Sequence, residues 1–322
     1  VRYLMSGRCG IYYALEDLKL TDAKRVAYLP VYTCETVIGP YLKAGYTVYY
    51  YDVDQNLRPI FDEAMLEKIS LLHICGYYGF STYDHDFVAR CKAKNITILE
   101  DITHSAFSTD GIDPHCDYVA GSLRKWLGVP SGGLAFKMNG HFTLEPSPFD
   151  EVHLTMRTNA MRNRAEALQR GDEKAAAEAS DLSWSAEMML RQIFADQISD
   201  QQSIEIIRHY PVQELITRRQ SNYRYLLEHF TPSEQVQLIF ATLPDGVCPS
   251  HFTLYAQNRP LVQEKLAAQK IHTTAYWPIP PFVDLTNYPN AQYIYDHIFS
   301  IPCDQRYNEN DMHRISKALN AL

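Results

Sequence analysis

The sequence predicts an α/β protein, with a mostly parallel sheet flanked by helices and a smaller α+β unit after it. Three observations carry this. Strand-length apolar runs alternate with helix-length segments between Arg25 and Asp101, the spacing of βαβ crossovers. The chain has 322 residues, 46% hydrophobic and 21% charged, enough for one large and one small domain. From Pro146 to about Gln202 the composition shifts to Ala-, Glu- and Arg-rich helix, after which strands and helices resume. The expected division is therefore 1–205 for the large domain with its helical connector, and 206–322 for the small one.

The elements follow in order. Ser6 opens a helix through Leu15, with Ile11, Ala14 and Leu15 on one face. Its Ser-Gly start suits either a plain cap or a phosphate. Arg25–Pro30 reads as a strand, Val31–Ile38 as a loop entering a helix, and Ala44–Val53 as the next strand. Pro59–Ile69 is expected to be helical, Leu71–Cys75 a strand, Asp84–Lys94 a helix and Ile96–Asp101 a strand. An apolar run at Tyr118 leads into the turn that presents Lys125. Arg157–Leu168 and Asp172–Ser203 read as helices broken at Gly171, with Met188, Met189, Leu190 and Ile193 buried and the charges solvated. No chemistry is expected from them; they read as a link between domains or a contact with a second subunit. Helices are expected at Leu215–Phe230, Arg259–Gln269 and Glu309–Leu322, and strands at Val236–Phe240, Phe252–Ala256 and Ile298–Pro302.

A net charge of -8 offers no basic field for nucleic acid. The seven cysteines are odd in number and contain no CxxC pair, which argues against a disulfide framework and a structural zinc site and points to the cytoplasm. No apolar run reaches the roughly 18 residues of a membrane span, and no signal peptide is visible. The start at Val1, without methionine, is consistent with further residues upstream.

The candidate chemistry lies at strand ends, where open α/β sheets bind ligands. Lys125 ends an apolar strand, and an ammonium buried there needs a reason; serving as a Schiff-base nucleophile is one, a solvated Arg-Lys pair the other. Ser122 and Arg124 stand beside it, and Gly132 and Gly133 are expected to let backbone approach a ligand. Asp101 ends another strand as a helix cap or as a partner to a cation. Together Asp101 and Lys125 look like a pyridoxal phosphate site, the carboxylate holding the pyridine nitrogen protonated.

On these residues the chain resembles the DegT/DnrJ-type aminotransferases among the fold-type I pyridoxal phosphate enzymes. The resemblance covers most of the chain: Ser6-Gly-Arg-Cys-Gly, Leu29-Pro-Val-Tyr-Thr, Glu100-Asp-Ile-Thr-His-Ser105, Ser122-Leu-Arg-Lys125 and Ser300-Ile-Pro-Cys-Asp-Gln-Arg-Tyr307. It implies a seven-stranded-type sheet, a homodimer and pyridoxal 5'-phosphate as cofactor. It also implies Lys125 as the Schiff-base lysine, Asp101 on the ring nitrogen, His104 near the ring hydroxyl, Ser122 on the phosphate, and Gly7, Arg8 and Cys9 in the phosphate turn. Tyr32 and Cys34 are both candidates to stack on the ring, with a core role open for Tyr32. Arg306, then Arg124, is the candidate for a donor carboxylate, with a surface ion pair the alternative for Arg306. The implied reaction moves an amino group from an amino acid, expected to be glutamate, to a carbonyl acceptor of the keto-sugar kind. The alternatives are another pyridoxal phosphate reaction (lyase, decarboxylase or condensing enzyme) and a non-catalytic cofactor-binding protein. The family's Gly-x-Asn-x-Arg-Met run after the lysine is absent around Met156–Arg164, which leaves the acceptor open.

Overall fold

The computed structural model describes residues 1–109 and 112–322. The first half runs β1 (Arg2–Leu4), α1 (Gly7–Leu18), β2 (Val26–Pro30), α2 (Glu35–Lys43), β3 (Thr47–Val53), β4 (Pro59–Ile60), β5 (Leu71–Cys75), α3 (His85–Ala93), β6 (Thr97–Asp101), β7 (Tyr118–Ser122) and β8 (Gly133–Lys137). The second runs α4 (Glu151–Arg170), α5 (Glu173–Ile193), α6 (Gln201–Arg208), α7 (Val212–His229), β9 (Val236–Leu238), β10 (His251–Ala256), α8 (Arg259–Ala268), α9 (Pro289–His297), β11 (Ile298–Pro302) and α10 (Glu309–Leu319).

Strands β1 to β8 form one sheet in the order β1-β8-β7-β6-β5-β2-β3-β4. Its centre, β7-β6-β5-β2-β3, is parallel, and β8, β1 and β4 join antiparallel at the edges. The sheet has eight strands. One of them, β4, comes from Pro59–Ile69, which is not the expected helix. Its first two residues pair with the end of β3, and Asp62 then takes the N–H of Ala64 at 2.9 Å to cap a short 3-10 turn.

The central strands are buried on both faces, and their side chains alternate between two cores, as a period of two requires. Ala27, Leu29, Leu71, Leu99 and Ala120 pack with Ile11, Leu15 and Ile38 under α1 and α2. Tyr28, Leu72, Ile74, Ile98 and Val119 face the opposite core with Phe87 of α3. That core is continuous with the side chains of the second, three-stranded antiparallel sheet, ordered β11-β10-β9.

Helix α1 lies against the β7–β8 end of the sheet, and glycines set the distance. A Cβ on Gly10 would lie 2.4 Å from the Leu134 carbonyl oxygen, and one on Gly133 would lie 1.9 Å from that of Ser6. Gly133 therefore makes room for the backbone at the start of α1, and not for a ligand as its sequence context suggests. Because backbone cannot yield as a side-chain tip does, Gly133→Ala is expected to destabilise the chain by about 3 kcal/mol or more. Urea unfolding checks this; a loss below about 1 kcal/mol would contradict it.

The continuous helix expected from Asp172 to Ser203 is interrupted. Helix α5 ends at Ile193, and the chain then runs extended beside the N-terminus, with Met5 N–H donating to the Gln197 carbonyl (2.9 Å) and Ser199 N–H to that of Tyr3 (3.0 Å). Those bonds replace helical ones, and Asp200 caps a new helix, α6, by accepting from Ser203 N–H at 2.9 Å. The expected domain boundary near residue 205 falls inside α6. Among the described residues no helix is long and apolar enough to cross a membrane.

Candidate active site

The chain progresses from β2 to β3 in one direction across the sheet and from β5 through β7 in the other, so the order reverses between β2 and β5. A cavity of about 350 Å³ opens at the carboxyl ends of these strands, where open α/β sheets bind ligands. Thr33 and Cys34 line it from the loop after β2, Cys75 and Gly76 from β5, Asp101, Thr103 and His104 from β6, and Ser122, Arg124 and Lys125 from β7.

Glu100 and Asp101, neighbours in sequence, part company on the strand. Glu100 turns into the core, where it accepts hydrogen bonds from Tyr83 Oη (2.9 Å), Asp113 N (2.8 Å) and Cys116 Sγ (3.1 Å). Burial outweighs these bonds and pushes its carboxyl up to about 7. Asp101 faces the cavity. Its Oδ1 accepts from Thr103 N–H at 2.8 Å, and its other oxygen has no hydrogen-bond partner among the described residues. Burial raises its pKa against the Thr103 bond and the positive charge of Lys125.

Lys125 ends a 3-10 turn, Leu123–Lys125, fixed from both sides. Leu123 N–H donates to the Gly132 carbonyl at 2.7 Å, and Trp126 Nε1 donates to that of Thr103 at 2.8 Å. The ammonium expected to be buried is instead exposed to the cavity, 5.7 Å from the centroid of the Tyr276 ring and unpaired with any carboxylate among the described residues. It needs no neutralising partner because it is not taken out of water.

At the other side of the lysine turn stands the first turn of α1. A Cβ on Gly7 would lie 2.9 Å from Ser122 Cβ, so only glycine lets the helix start approach Ser122 this closely. The hydroxyl of Ser122 makes no hydrogen bond to a described residue, while its N–H donates to Thr103 Oγ1 at 3.1 Å. A helix N-terminus, a free hydroxyl and Arg8 form a cradle that fits a phosphate. The free Asp101 oxygen and the accessible Lys125 amine complete a donor and acceptor set that fits pyridoxal phosphate.

Other expected residues divide. Cys34 lines the cavity. Cys9 does not: it is wholly buried, with Ser6 Oγ donating to its sulfur at 3.1 Å and its own N–H donating to Ser6 Oγ at 3.3 Å. Tyr32 is also wholly buried, with its hydroxyl 2.9 Å from that of Tyr78, and it does not line the cavity. His104 lines the cavity and stacks on Trp277, with ring centroids 5.2 Å apart and 29° between planes. Burial holds its imidazole well below its usual pKa, and its Nδ1 has no partner. Arg306 is not in the cavity wall; its guanidinium forms two 2.8 Å bonds to Asp304, and its side chain is 74% exposed. That is the surface ion pair given as its alternative. Arg124 lines the cavity and is bound to Glu187.

The helices from which no chemistry was expected supply the rest of the wall: Arg157 from α4, and Trp184, Glu187, Leu190 and Arg191 from α5. A Trp, a Glu and an Arg at intervals of three and four share one helix face. That spacing was the available signal, but a charged helix face ordinarily meets solvent.

No protein-family model and no curated protein matches the sequence. Solved structures do match along its length. Sugar aminotransferase CalS13 from Micromonospora echinospora superimposes with TM-score 0.65 at 15% identity, over 99% of this chain and 86% of the other. The chain has the fold of the sugar aminotransferases. A DegT DnrJ EryC1 StrS aminotransferase from Brucella abortus gives 0.65 at 14% identity, over 99% and 85%. The PLP form of Spr1654 from Streptococcus pneumoniae gives 0.67 at 15%, over 99% and 86%.

Proposed function

We propose that the chain is a pyridoxal-phosphate-dependent aminotransferase that moves an amino group from an amino acid to a carbonyl acceptor of the keto-sugar class. One observation carries the reading: Lys125 and Asp101, on neighbouring strand ends, face one cavity with the Gly7–Ser122 cradle beside them. The fold shared with CalS13, named as a sugar aminotransferase, supports the acceptor class. When bound, pyridoxal phosphate supplies a carbonyl that condenses with amines and a ring that accepts an electron pair.

The chain's own residues do the following. Gly7, Arg8 and Ser122 would hold the phosphate, and the free oxygen of Asp101 would keep a proton on the ring nitrogen. Lys125 Nζ would be the nucleophile that attaches the cofactor and, once freed, the base that takes the proton from the α-carbon of the donor. Trp277, packed on His104, shields that side of the cavity from water. The seven free cysteines support a cytoplasmic location, and Trp184, 61% exposed at the rim of the cavity, supports closure of the site by a second copy.

The test is an absorbance spectrum of the protein with pyridoxal phosphate, before and after L-glutamate. A band at about 410–430 nm that bleaches with glutamate is expected. A band indifferent to every amino acid would leave a cofactor-binding protein or a different reaction. No band at all would overturn the site.

A further inference from the structure

The residue after Lys125 is held from outside the first sheet. Trp126 is 3% exposed, and its Nε1 donates to the Thr103 carbonyl in the loop after β6. On its other side stand two residues from the last third of the chain, Arg219 of α7 and Gln305 of the turn after β11. The Trp126 carbonyl accepts from Gln305 Nε2 at 2.8 Å, and the Arg219 guanidinium lies over the indole, 4.6 Å from its centroid.

Arg219 and Gln305 act together. Arg219 Nε donates to Gln305 Oε1 at 2.9 Å, which turns the amide so that its NH2 meets the Trp126 carbonyl. Arg219 Nη1 donates to the carbonyls of Pro249 (3.3 Å) and Ser250 (3.1 Å), just before β10. The guanidinium is thus locked in one plane, with its flat face on the indole. It is 3% exposed, bonds to no carboxylate among the described residues, and has its pKa lowered by burial. Burying a cation so is costly, and an apolar side chain of that volume would fill the space without the cost. What only the guanidinium supplies is the combination of fork and flat face that the amide and the indole use.

We propose that Arg219 and Gln305 are positioning residues for Lys125, holding the lysine turn in place through Trp126. That the turn carries a reacting amine rests on the aminotransferase reading; the clasp on Trp126 does not. The Lys125 ammonium has the Tyr276 ring 5.7 Å away and no hydrogen bond among the described residues, so its place over the cavity comes from the backbone that carries it. Thr103 fixes the indole from the side of β6, and Gln305 fixes the peptide from the other. A shift of about 1 Å at a reacting group can cost about a hundredfold in rate.

Gln305→Glu separates the two bonds of the amide. A carboxylate still accepts from Arg219 Nε but has no N–H for the Trp126 carbonyl. In the cofactor-free variant, amide hydrogen exchange across Leu123–Leu127 is expected to quicken at least about tenfold, with exchange in α7 and β10 unchanged. With pyridoxal phosphate bound, the maximal rate of the half-reaction with L-glutamate is expected to fall about tenfold, while the half-saturating concentration moves less than about twofold. Arg219→Lys keeps the charge and loses the fork, and should change both readouts in the same direction; Gln305→Glu carries the test alone should that variant fail to fold. Wild-type exchange at Leu123–Leu127 in Gln305→Glu overturns the clasp, and so does a quickening spread evenly over the molecule. Faster exchange with an unchanged half-reaction overturns the positioning role. If the wild type reacts with no amino acid, the aminotransferase reading has failed, and the exchange rate alone upholds or overturns the clasp.

Discussion

Lys125→Ala is expected to lose the visible band formed with pyridoxal phosphate and to lower turnover by at least about a thousandfold. The size follows from two tasks held by one atom, attachment of the cofactor and transfer of the α-proton, neither of which a neighbour takes over. Cys34, Thr33 and Ser122 share the cavity, but none of them is an amine, and every arginine there stays protonated. The folded structure has little stake in this side chain, because Lys125 is exposed and unpaired. Thermal stability of the cofactor-free variant should therefore match that of the wild type. That separation between activity and stability is the point of the experiment. A variant that keeps the band, or keeps more than about a tenth of the activity, would remove Lys125 from the chemistry.

Asp101→Asn is expected to lower the rate of the half-reaction with glutamate by about a hundredfold or more, while the cofactor-free chain is at least as stable at neutral pH. The amide oxygen keeps the bond from Thr103 N–H, so the backbone of the turn is retained. What is lost is the negative charge that holds the ring nitrogen protonated. The stability side has a definite sign. Burial raises the Asp101 pKa, so its charged form is disfavoured in the folded chain, and the stability present below the ordinary carboxylate range is lost as pH rises through the raised value. Asparagine removes that cost. A carboxylate kept only for structure would show the reverse, with normal rates and a less stable chain. Stopped-flow absorbance and urea unfolding, run on one preparation, decide between them.

Much of the frame was legible in the sequence because its signals are local. Apolar runs at Val26–Pro30, Leu71–Cys75 and Thr97–Asp101 bury both faces of a parallel strand, and residues that end such runs meet the crevice. Asp101 and Lys125 could be placed at strand ends by counting along the chain. Even so, local pattern misled at Pro59–Ile69, where pairing with β3 prevailed over helical spacing. It misled again after Ile193, where bonds to Tyr3 and Met5 took the place of a continuing helix.

By itself, then, the sequence determined the central parallel strands and the residues that close them. It did not determine what else reaches the cavity. Arg124 and Glu187 lie 63 residues apart, and their pairing depends on where α5 packs. A Glu and an Arg on a polar helix look the same from the sequence whether they face water or a ligand. Likewise, Arg306 is claimed by Asp304 and Gly133 by the backbone of Ser6. Charge and shape act across space, and the tertiary structure alone decides which groups come within their reach.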